Sequence, residues 1–90
     1  MGDDYFSVLG QPSQKPFARL GLAIAKKHIK KAVGRNRIKR LARESFRQNQ
    51  HLLAGFDIVV TLRKDASRLD NETIRQRFLA HWQSLINSNK

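Results

Sequence analysis

One segment of 22 residues, KKHIKKAVGRNRIKRLARESFR from Lys26 to Arg47, carries most of the positive charge of this chain. It contains ten Lys or Arg residues and a single acid, Glu44, whereas the whole 90-residue chain has 18 basic and 7 acidic residues and a formal net charge of +11. The remainder of the chain is therefore close to neutral. Because the segment also contains apolar residues at helical spacing, it must bury one face in a fold and leave the charged face uncovered.

The predicted helix, from about Ala32 to Leu53, is divided into an apolar side and a basic side. When its residues are placed at 100° steps, one group falls within about 140° of arc and is expected to pack on the rest of the protein. This group consists of Ile38, Leu41, Ala42, Ser45, Phe46, Asn49, Leu52 and Leu53. The opposite side is formed by Asn36, Lys39, Arg40, Arg43 and Arg47, with Arg35 and Arg37 at the two edges of the apolar stripe.

The basic side of this helix is an unfavourable surface for solubility alone. Basic residues recur four positions apart, as in Arg35 and Lys39, and each such pair costs about a few tenths of a kcal/mol. Only Arg40 and Glu44 form a pair of opposite charge at this spacing. A surface that served solubility would mix the signs of its charges. The segment therefore indicates an anionic partner: nucleic acid first, and an acidic membrane surface or an acidic protein second.

Two further cues bear on the kind of nucleic acid. The basic residues spread over about half of the helix circumference, which is broader than the reading surface of a helix in the major groove. A neighbouring predicted strand has a shallow outer face that could be covered by another element of the fold or could admit an unpaired nucleic-acid strand. That face consists of Phe17, Arg19, Gly21, Ala23 and Ala25. Both cues favour RNA, and a DNA-binding module is the alternative.

The chain as a whole is predicted to form one α+β domain of two layers, over residues 1–90, with elements in the order β-β-α-β-α. Two strands, about 5–9 and 17–26, are joined by the loop GQPSQKP, and a third strand, 56–63, follows the basic helix. The last helix, about 71–87, has Asp70 as its N-cap and a Leu69–Ile74 staple. Alternation and helical spacing place these apolar residues inward: Leu20, Leu22, Ile24, Phe56, Ile58, Val60, Leu62, Ile74, Phe78, Trp82, Leu85 and Ile86.

Several classes of protein chemistry find no support in the sequence. Cysteine is absent, which excludes disulfides and thiolate metal sites. His28, His51 and His81 are scattered over three elements, so we expect no histidine metal site. No Ser or Thr has an evident base partner, and no phosphate-binding loop is present. No apolar run approaches the roughly 20 residues that cross a bilayer, and the acidic start MGDDYF is unlike a signal peptide, so a cytoplasmic protein is expected.

The basic helix resembles the signature of a known family, the bacterial ribonuclease P protein subunit. The resemblance is carried by RNRIKRLARESFR, residues 35–47, by the preceding RLGLAIAKK, residues 19–27, and by FDIVVTLRKDASRLDN, residues 56–71. It covers about 17–87. Such a subunit is the small basic partner of a catalytic RNA, and a structural RNA-binding protein of ribosomal type without turnover is the alternative function.

The resemblance implies a fold and a set of roles. The fold is of the ribosomal-protein S5 domain 2-like class, with a central sheet, a C-terminal helix, and the Arg-rich helix in a left-handed crossover between parallel strands. The partners are ribonuclease P RNA and precursor tRNA. The RNA and its Mg²⁺ ions carry out the hydrolysis, and no cofactor or catalytic residue is expected in the protein. The implied RNA-binding residues are Lys26, Lys27, Arg35, Asn36, Arg37, Lys39, Arg40, Arg43 and Arg47, and the implied leader-cleft residues are Phe17 and Arg19.

The chain departs from the family pattern at its N-terminus. Family members have a helix and a strand before the position of Asp4, and the start MGDDYF matches neither. Without that strand the sheet would have an unpaired edge, which invites pairing with another chain. We therefore predict weak dimerisation or strand exchange through this edge.

Overall fold

The predicted order of elements is confirmed in the computed structural model, which describes residues 2–88. Strand β1 spans Phe6–Pro12, strand β2 spans Arg19–Ala23 and helix α1 spans Ala32–Asn49. Strand β3 spans Phe56–Leu62 and helix α2 spans Asn71–Ser88. No helix in the part of the chain that the structure describes is long and apolar enough to cross a membrane.

The three strands form one sheet in the order β1-β3-β2. Strand β1 runs antiparallel to β3, and β2 runs parallel to it, so that α1 connects two parallel neighbours, as the resemblance implies. The left hand of this crossover stays a prediction. In the register of the sheet, Leu9 lies beside Val59 and Val59 beside Gly21, and this row belongs to the face that no helix covers.

Both helices pack on the other face of the sheet, which gives the two-layer arrangement. The inward side chains of β3 (Phe56, Ile58, Val60 and Leu62) are buried, as alternation predicts. At the centre of the core, the rings of Phe6 and Phe78 lie 4.7 Å apart and those of Phe78 and Trp82 lie 5.9 Å apart. Trp82 Nε1 donates a hydrogen bond of 2.9 Å to Ser45 Oγ, which joins α2 to α1 inside the core.

The bounds of several elements differ from those predicted. Helix α1 ends at Asn49, four residues early, and Leu52 is 54% exposed while Leu53 is buried. The prediction of a buried Leu52 was therefore wrong, because the chain leaves the helical path before it reaches that residue. Gly55 then turns the chain into β3 with a φ of 88°, a conformation that favours glycine. Strand β1 continues to Pro12, which is tolerated because β1 is an edge strand.

The start of α2 follows the prediction closely. Asp70 Oδ1 accepts a 2.8 Å hydrogen bond from the backbone N–H of Thr73, as an N-cap does. The hydrogen bonds from Thr73 lower the pKa of Asp70, and the positive charge of Arg37 acts in the same direction. Leu69 is partly buried and packs against the core, to which the buried Ile74 belongs; a direct staple contact between the two stays a prediction. The cap at Asp70 therefore fixes the start of α2 at Asn71.

The outer edge of β1 is partly occupied by residues of its own chain. Gly2 forms an antiparallel bridge with Ser7, and the backbone N–H of Asp3 donates 2.8 Å to the Phe6 carbonyl oxygen. This pairing covers the first part of the edge, over residues 6–7. Dimerisation through the remaining part of β1 stays a prediction.

Candidate nucleic-acid interface

Helix α1 presents a continuous basic surface that residues 2–88 leave uncovered. Ile38, Leu41, Ala42 and Ser45 are buried on its inner side, so the residues opposite them must face outward. Four residues on the outer side, Asn36, Arg40, Arg43 and Arg47, are exposed, and Lys39 beside them is half-buried. We call these five residues the cationic face. The predicted division of the helix into two sides is confirmed.

The cationic face has little compensating charge. Glu44 lies 3.8 Å from Arg40 Nε and, through its other carboxylate oxygen, 3.8 Å from Arg75 NH2. All three side chains are at least two-fifths exposed, and exposed ion pairs of this kind contribute about 0–1 kcal/mol. Arg43 and Arg47, which lie on either side of Glu44 in the sequence, continue the basic row towards the end of the helix. The surface therefore keeps most of its positive charge for an external anion.

A groove of about 400 Å³ runs between α1 and the edge strand β2. Lys39, Arg43 and Arg47 line it from the helix. Its other lining residues are Leu20, Leu22, Phe46 and Gln50. A groove with cationic groups along one wall and apolar groups beside them suits a single nucleic-acid strand, because phosphates pair with the former and bases pack on the latter.

A second hollow, of about 310 Å³, adjoins this groove at Gln50, which lines both. It is formed by the loop before β2 and the turn after α1, and its lining residues are Pro16, Phe17, Ala18, Gln50, His51 and Ala54. The Phe17 ring is 51% exposed, and Lys15 Nζ lies 5.8 Å from its centroid. The groove and this hollow meet at Gln50, and we call the two together the α1–β2 track.

Arg19 lies elsewhere. Its guanidinium pairs with the Asp57 carboxylate through two hydrogen bonds, Nε to Oδ1 at 2.6 Å and NH2 to Oδ2 at 2.5 Å. The pair lowers the pKa of Asp57. Both residues lie on the uncovered face of the sheet, and Arg19 is not among the described residues that line the α1–β2 track. Arg19 therefore lies outside the α1–β2 track that Phe17 lines, and a leader cleft that contains both residues, as the resemblance implies, stays a prediction.

The loop between β2 and α1, residues 24–31, adds a further group of cations, and we call it the lysine-rich loop. Lys26 and Lys27 are exposed there. Lys27 lines a hollow of about 470 Å³ together with Lys30 and Lys31, and Asp65 is the acid that lines it. The hydrogen bonds from Ser67 hold the pKa of Asp65 below its usual value. Lys30 and Lys31 are missing from the predicted site, although the same charge run in the sequence would have included them.

Arg35 and Arg37 make hydrogen bonds within the protein. Arg35 NH1 donates to the backbone carbonyl oxygens of Ile29 at 2.9 Å and Lys30 at 2.7 Å, which holds the lysine-rich loop against the start of α1. Arg37 reaches in the other direction, to the turn before α2, and donates to Asn71 Oδ1 at 2.8 Å. The sequence places both residues at the edges of the apolar stripe, and the structure shows that these edges are contact positions.

The carboxylates and histidines do not form a metal site in the region that the structure covers. No group of three His, Cys, Asp or Glu side chains among residues 2–88 is arranged to hold an ion. His51 lines the α1–β2 track, His28 lies in the lysine-rich loop, and His81 is buried against Asp3.

The sequence of this chain is similar to those of known RNA-processing proteins, in agreement with an exposed basic surface. Residues 1–86 match the family model described as Ribonuclease P. A Ribonuclease P protein component from Vibrio parahaemolyticus is 50% identical over 84 residues, which cover 93% of this chain and 71% of that protein. One from Azotobacter vinelandii is 51% identical over 81 residues, which cover 90% of this chain and 62% of that protein.

Solved structures give the same result for the fold. An RNase P protein from Thermotoga maritima, in complex with 1-(4-fluorophenyl)-2-thiourea, superposes with a TM-score of 0.83 at 38% identity and covers 92% of this chain and 81% of that one. The Staphylococcus aureus RNase P protein superposes with a TM-score of 0.82 at 29% identity, over 94% of this chain and 77% of that one. The sequence match, the shared fold and the uncovered basic helix lead to one conclusion: the chain belongs to the ribonuclease P protein family.

Proposed function

We propose that this protein is the protein subunit of a bacterial, cytoplasmic ribonuclease P, in which it binds the catalytic RNA and the 5′ leader of precursor tRNA. It assists an RNA-catalysed, Mg²⁺-dependent removal of the leader. The observation that carries the proposal is the cationic face of α1, which lies uncovered beside a groove between α1 and β2. Membership of the family supports the identity of the RNA partner.

The cationic face and the lysine-rich loop are proposed to bind phosphates of the RNA subunit. Together with Arg35 in the first turn of α1, the residues in this role are Lys26, Lys27, Asn36, Lys39, Arg40, Arg43 and Arg47. Arginine suits the task because its planar guanidinium can donate two parallel hydrogen bonds to one phosphate. If five to eight phosphates are neutralised, the logarithm of the binding constant falls against the logarithm of salt concentration with a slope of roughly −4 to −7.

The α1–β2 track is proposed to hold the single-stranded leader. Its cationic wall matches the leader phosphates, and its apolar residues and the exposed Phe17 ring offer surfaces on which bases stack. Contacts of this kind accept every base. They would strengthen substrate binding without strict dependence on leader sequence.

The chemistry of cleavage is assigned to the RNA partner and its Mg²⁺ ions. The contribution of the protein is electrostatic, because positive charge between two polyanions reduces their repulsion. Mg²⁺ ions reduce the same repulsion. The effect of the protein should therefore be greatest when Mg²⁺ is scarce.

Reconstitution tests this function. A bacterial ribonuclease P RNA is assayed for cleavage of precursor tRNA at low Mg²⁺, with and without the protein, and the protein is expected to raise the rate. Arg43→Gln should weaken the effect. Arg75→Gln, which removes the same charge from α2, should leave it nearly unchanged. RNA binding without any increase in cleavage would favour the structural RNA-binding alternative, and cleavage by the protein alone would overturn the assignment of chemistry to RNA.

A further inference from the structure

Arg37 belongs to the basic signature of α1, yet all three nitrogens of its guanidinium donate hydrogen bonds within the protein. Nε donates to Asn71 Oδ1 at 2.8 Å, and NH1 donates to the Ser67 carbonyl oxygen at 3.4 Å. NH2 donates to the Leu69 carbonyl oxygen in a short contact. The residue is only partly exposed. Its hydrogen-bonding capacity is therefore largely used before any RNA arrives.

The three acceptors belong to the segment that starts α2. Ser67 and Leu69 lie in the turn after β3, and Asn71 is the first residue of the helix. Between them lies Asp70, the N-cap, whose carboxylate also feels the positive charge of Arg37. Two carbonyl groups and one amide oxygen match the fork of a guanidinium in a way that the single ammonium group of lysine cannot. Arg37 thus fastens α1 to the N-terminus of α2.

The direction of Arg37 separates it from the α1–β2 track. Successive helical residues are 100° apart, so Arg37 and Lys39 lie on opposite sides of Ile38, which is fully buried. Lys39 lines the groove beside β2, whereas Arg37 contacts the segment that leads into α2. A strand held in the groove would therefore meet Lys39, and the body of the helix would separate it from Arg37.

We infer that Arg37 is a positioning residue, which orients the cationic face by holding α1 against the start of α2 and does not itself bind RNA phosphate. This inference rests on the proposed function. On this inference, the basic residues of α1 have two roles: some, such as Arg40, contact the RNA, and Arg37 holds in place the helix that carries them.

The experiment compares charge-removing and charge-keeping variants at Arg37 and Arg40. Arg40 is the matched control, because its side chain is 60% exposed on the same helix and its ion pair with Glu44 is long. Thermal unfolding gives Tm for Arg37→Gln, Arg37→Lys, Arg40→Gln and Arg40→Lys. Binding to a ribonuclease P RNA is then measured well below Tm over a range of salt concentrations.

We expect Arg37→Lys and Arg37→Gln both to lower Tm by roughly 5–15 °C, because neither can restore the three hydrogen bonds. For both variants, the slope of the logarithm of the RNA-binding constant against the logarithm of salt concentration should equal that of the unaltered protein. Arg40→Gln should keep its Tm and make the slope less negative by about 0.7–0.9, which corresponds to one phosphate contact. Arg40→Lys should keep both values. If Arg37→Gln fails to fold, the inference is judged on Arg37→Lys.

Two results would overturn the inference alone. One is an Arg37→Gln slope as shallow as that of Arg40→Gln, and the other is an Arg37→Lys protein with an unchanged Tm. Failure of the unaltered protein to bind the RNA, by contrast, would overturn the proposed function together with the inference.

Discussion

Asp3 and His81 are joined by a contact of 2.8 Å between Asp3 Oδ2 and His81 Nε2, although they lie 78 positions apart in the sequence. The other carboxylate oxygen of Asp3 accepts hydrogen bonds of 2.7 Å from the backbone N–H groups of Tyr5 and Phe6. Arg77 NH1 lies 3.4 Å from Asp3 Oδ2. Asp3 therefore anchors the segment before β1 to helix α2, and this anchor determines where several residues of the N-terminal segment lie.

Because of this anchor, the free energy of unfolding should depend on pH in the acid range. Partial burial acts to raise the pKa of Asp3, but the hydrogen bonds from Phe6, Tyr5 and His81 outweigh it, and the pKa lies below the ordinary value of 3.8. The folded protein thus prefers the charged carboxylate. Its contribution is complete above about pH 4 and is lost as the pH falls towards the lowered pKa.

We expect Asp3→Asn to lower the free energy of unfolding at neutral pH by roughly 1–3 kcal/mol and to flatten its decline below pH 4. Urea unfolding at a series of pH values measures both effects. Asp4→Asn is the control, because Asp4 is exposed, and it should change neither quantity appreciably. An Asp3→Asn profile parallel to that of the unaltered protein would show that the anchor contributes nothing to the acid transition.

The hydrogen bond between Trp82 and Ser45 should be costly to remove. Trp82 is fully buried and its Nε1–H donates to Ser45 Oγ at 2.9 Å. Ser45→Ala leaves this buried donor without its partner, which costs about 1–3 kcal/mol of unfolding free energy. Ser84→Ala, on the exposed side of α2, should change the unfolding free energy by less than about 0.5 kcal/mol. Equal unfolding free energies for the two variants would contradict this account.

Ile38 and Phe46 lie on the same apolar stripe but are buried to different extents. Ile38 is fully buried, whereas Phe46 is half-buried, packs edge-on to Trp82 at 6.3 Å and lines the α1–β2 track. We expect Ile38→Ala to cost about 2–5 kcal/mol and Phe46→Ala a smaller amount, about 1.5–3 kcal/mol. Chemical denaturation measures the loss of unfolding free energy in both variants. A larger loss for Phe46→Ala than for Ile38→Ala would mean that the Phe46 ring is more deeply packed than the structure shows.

Gly10 and Gly21 offer a matched pair of strand glycines. A Cβ atom at Gly10 would lie 2.5 Å from Leu85 Cδ2 in the core, while a Cβ atom at Gly21 would find its nearest neighbour, Val59 Cγ2, at an ordinary 3.7 Å. Gly10→Ala should therefore destabilise the protein by about 1–3 kcal/mol through overpacking. Gly21→Ala should be neutral or slightly stabilising, and Tm values of both variants test the contrast.

Phe17 provides a test of the track that does not depend on charge. Its ring is 51% exposed, so Phe17→Ala should leave Tm nearly unchanged. Loss of one stacked base should weaken binding of a short single-stranded RNA by about 1–3 kcal/mol, or roughly 5- to 150-fold. Leu9→Ala removes a comparably exposed apolar side chain from the uncovered sheet face and should bind as well as the unaltered protein. Titration of a labelled leader oligonucleotide distinguishes the two variants.

The features that were predicted correctly from the residues themselves, without the family resemblance, depend on local patterns. The alternation of β3 and the spacing of Ile38, Leu41, Ala42 and Ser45 repeat within a few residues, and each repeat defines a buried side whatever it packs against. The N-cap at Asp70 is likewise a contact over three residues. For the same reason the basic side of α1 was evident before any tertiary contact was known.

The end of α1 and the different contacts of Phe17 and Arg19 could not be predicted in this way. Apolar spacing continues to Leu53, and nothing in it shows that the chain leaves the helix after Asn49. Phe17 and Arg19 fall on the same predicted face of their strand, but their partners differ. Arg19 is held by Asp57, 38 positions away, whereas Phe17 contributes to a hollow with residues from the turn after α1. Such partners are brought together by the path of the chain between them.

The sequence by itself determined the order of the elements, their inward faces and the surface that carries the charge, because these follow from spacing over one or two turns. The tertiary structure alone decided which basic residues remain available to a partner. Arg40 and Arg37 are three residues apart and chemically identical, yet one points to solvent and the other is bound to a turn and helix start some 30 residues further along the chain. That difference arises from the packing of α1 against α2, which brings distant acceptors within hydrogen-bonding range of the Arg37 guanidinium and leaves the Arg40 guanidinium exposed, with a long ion pair to Glu44.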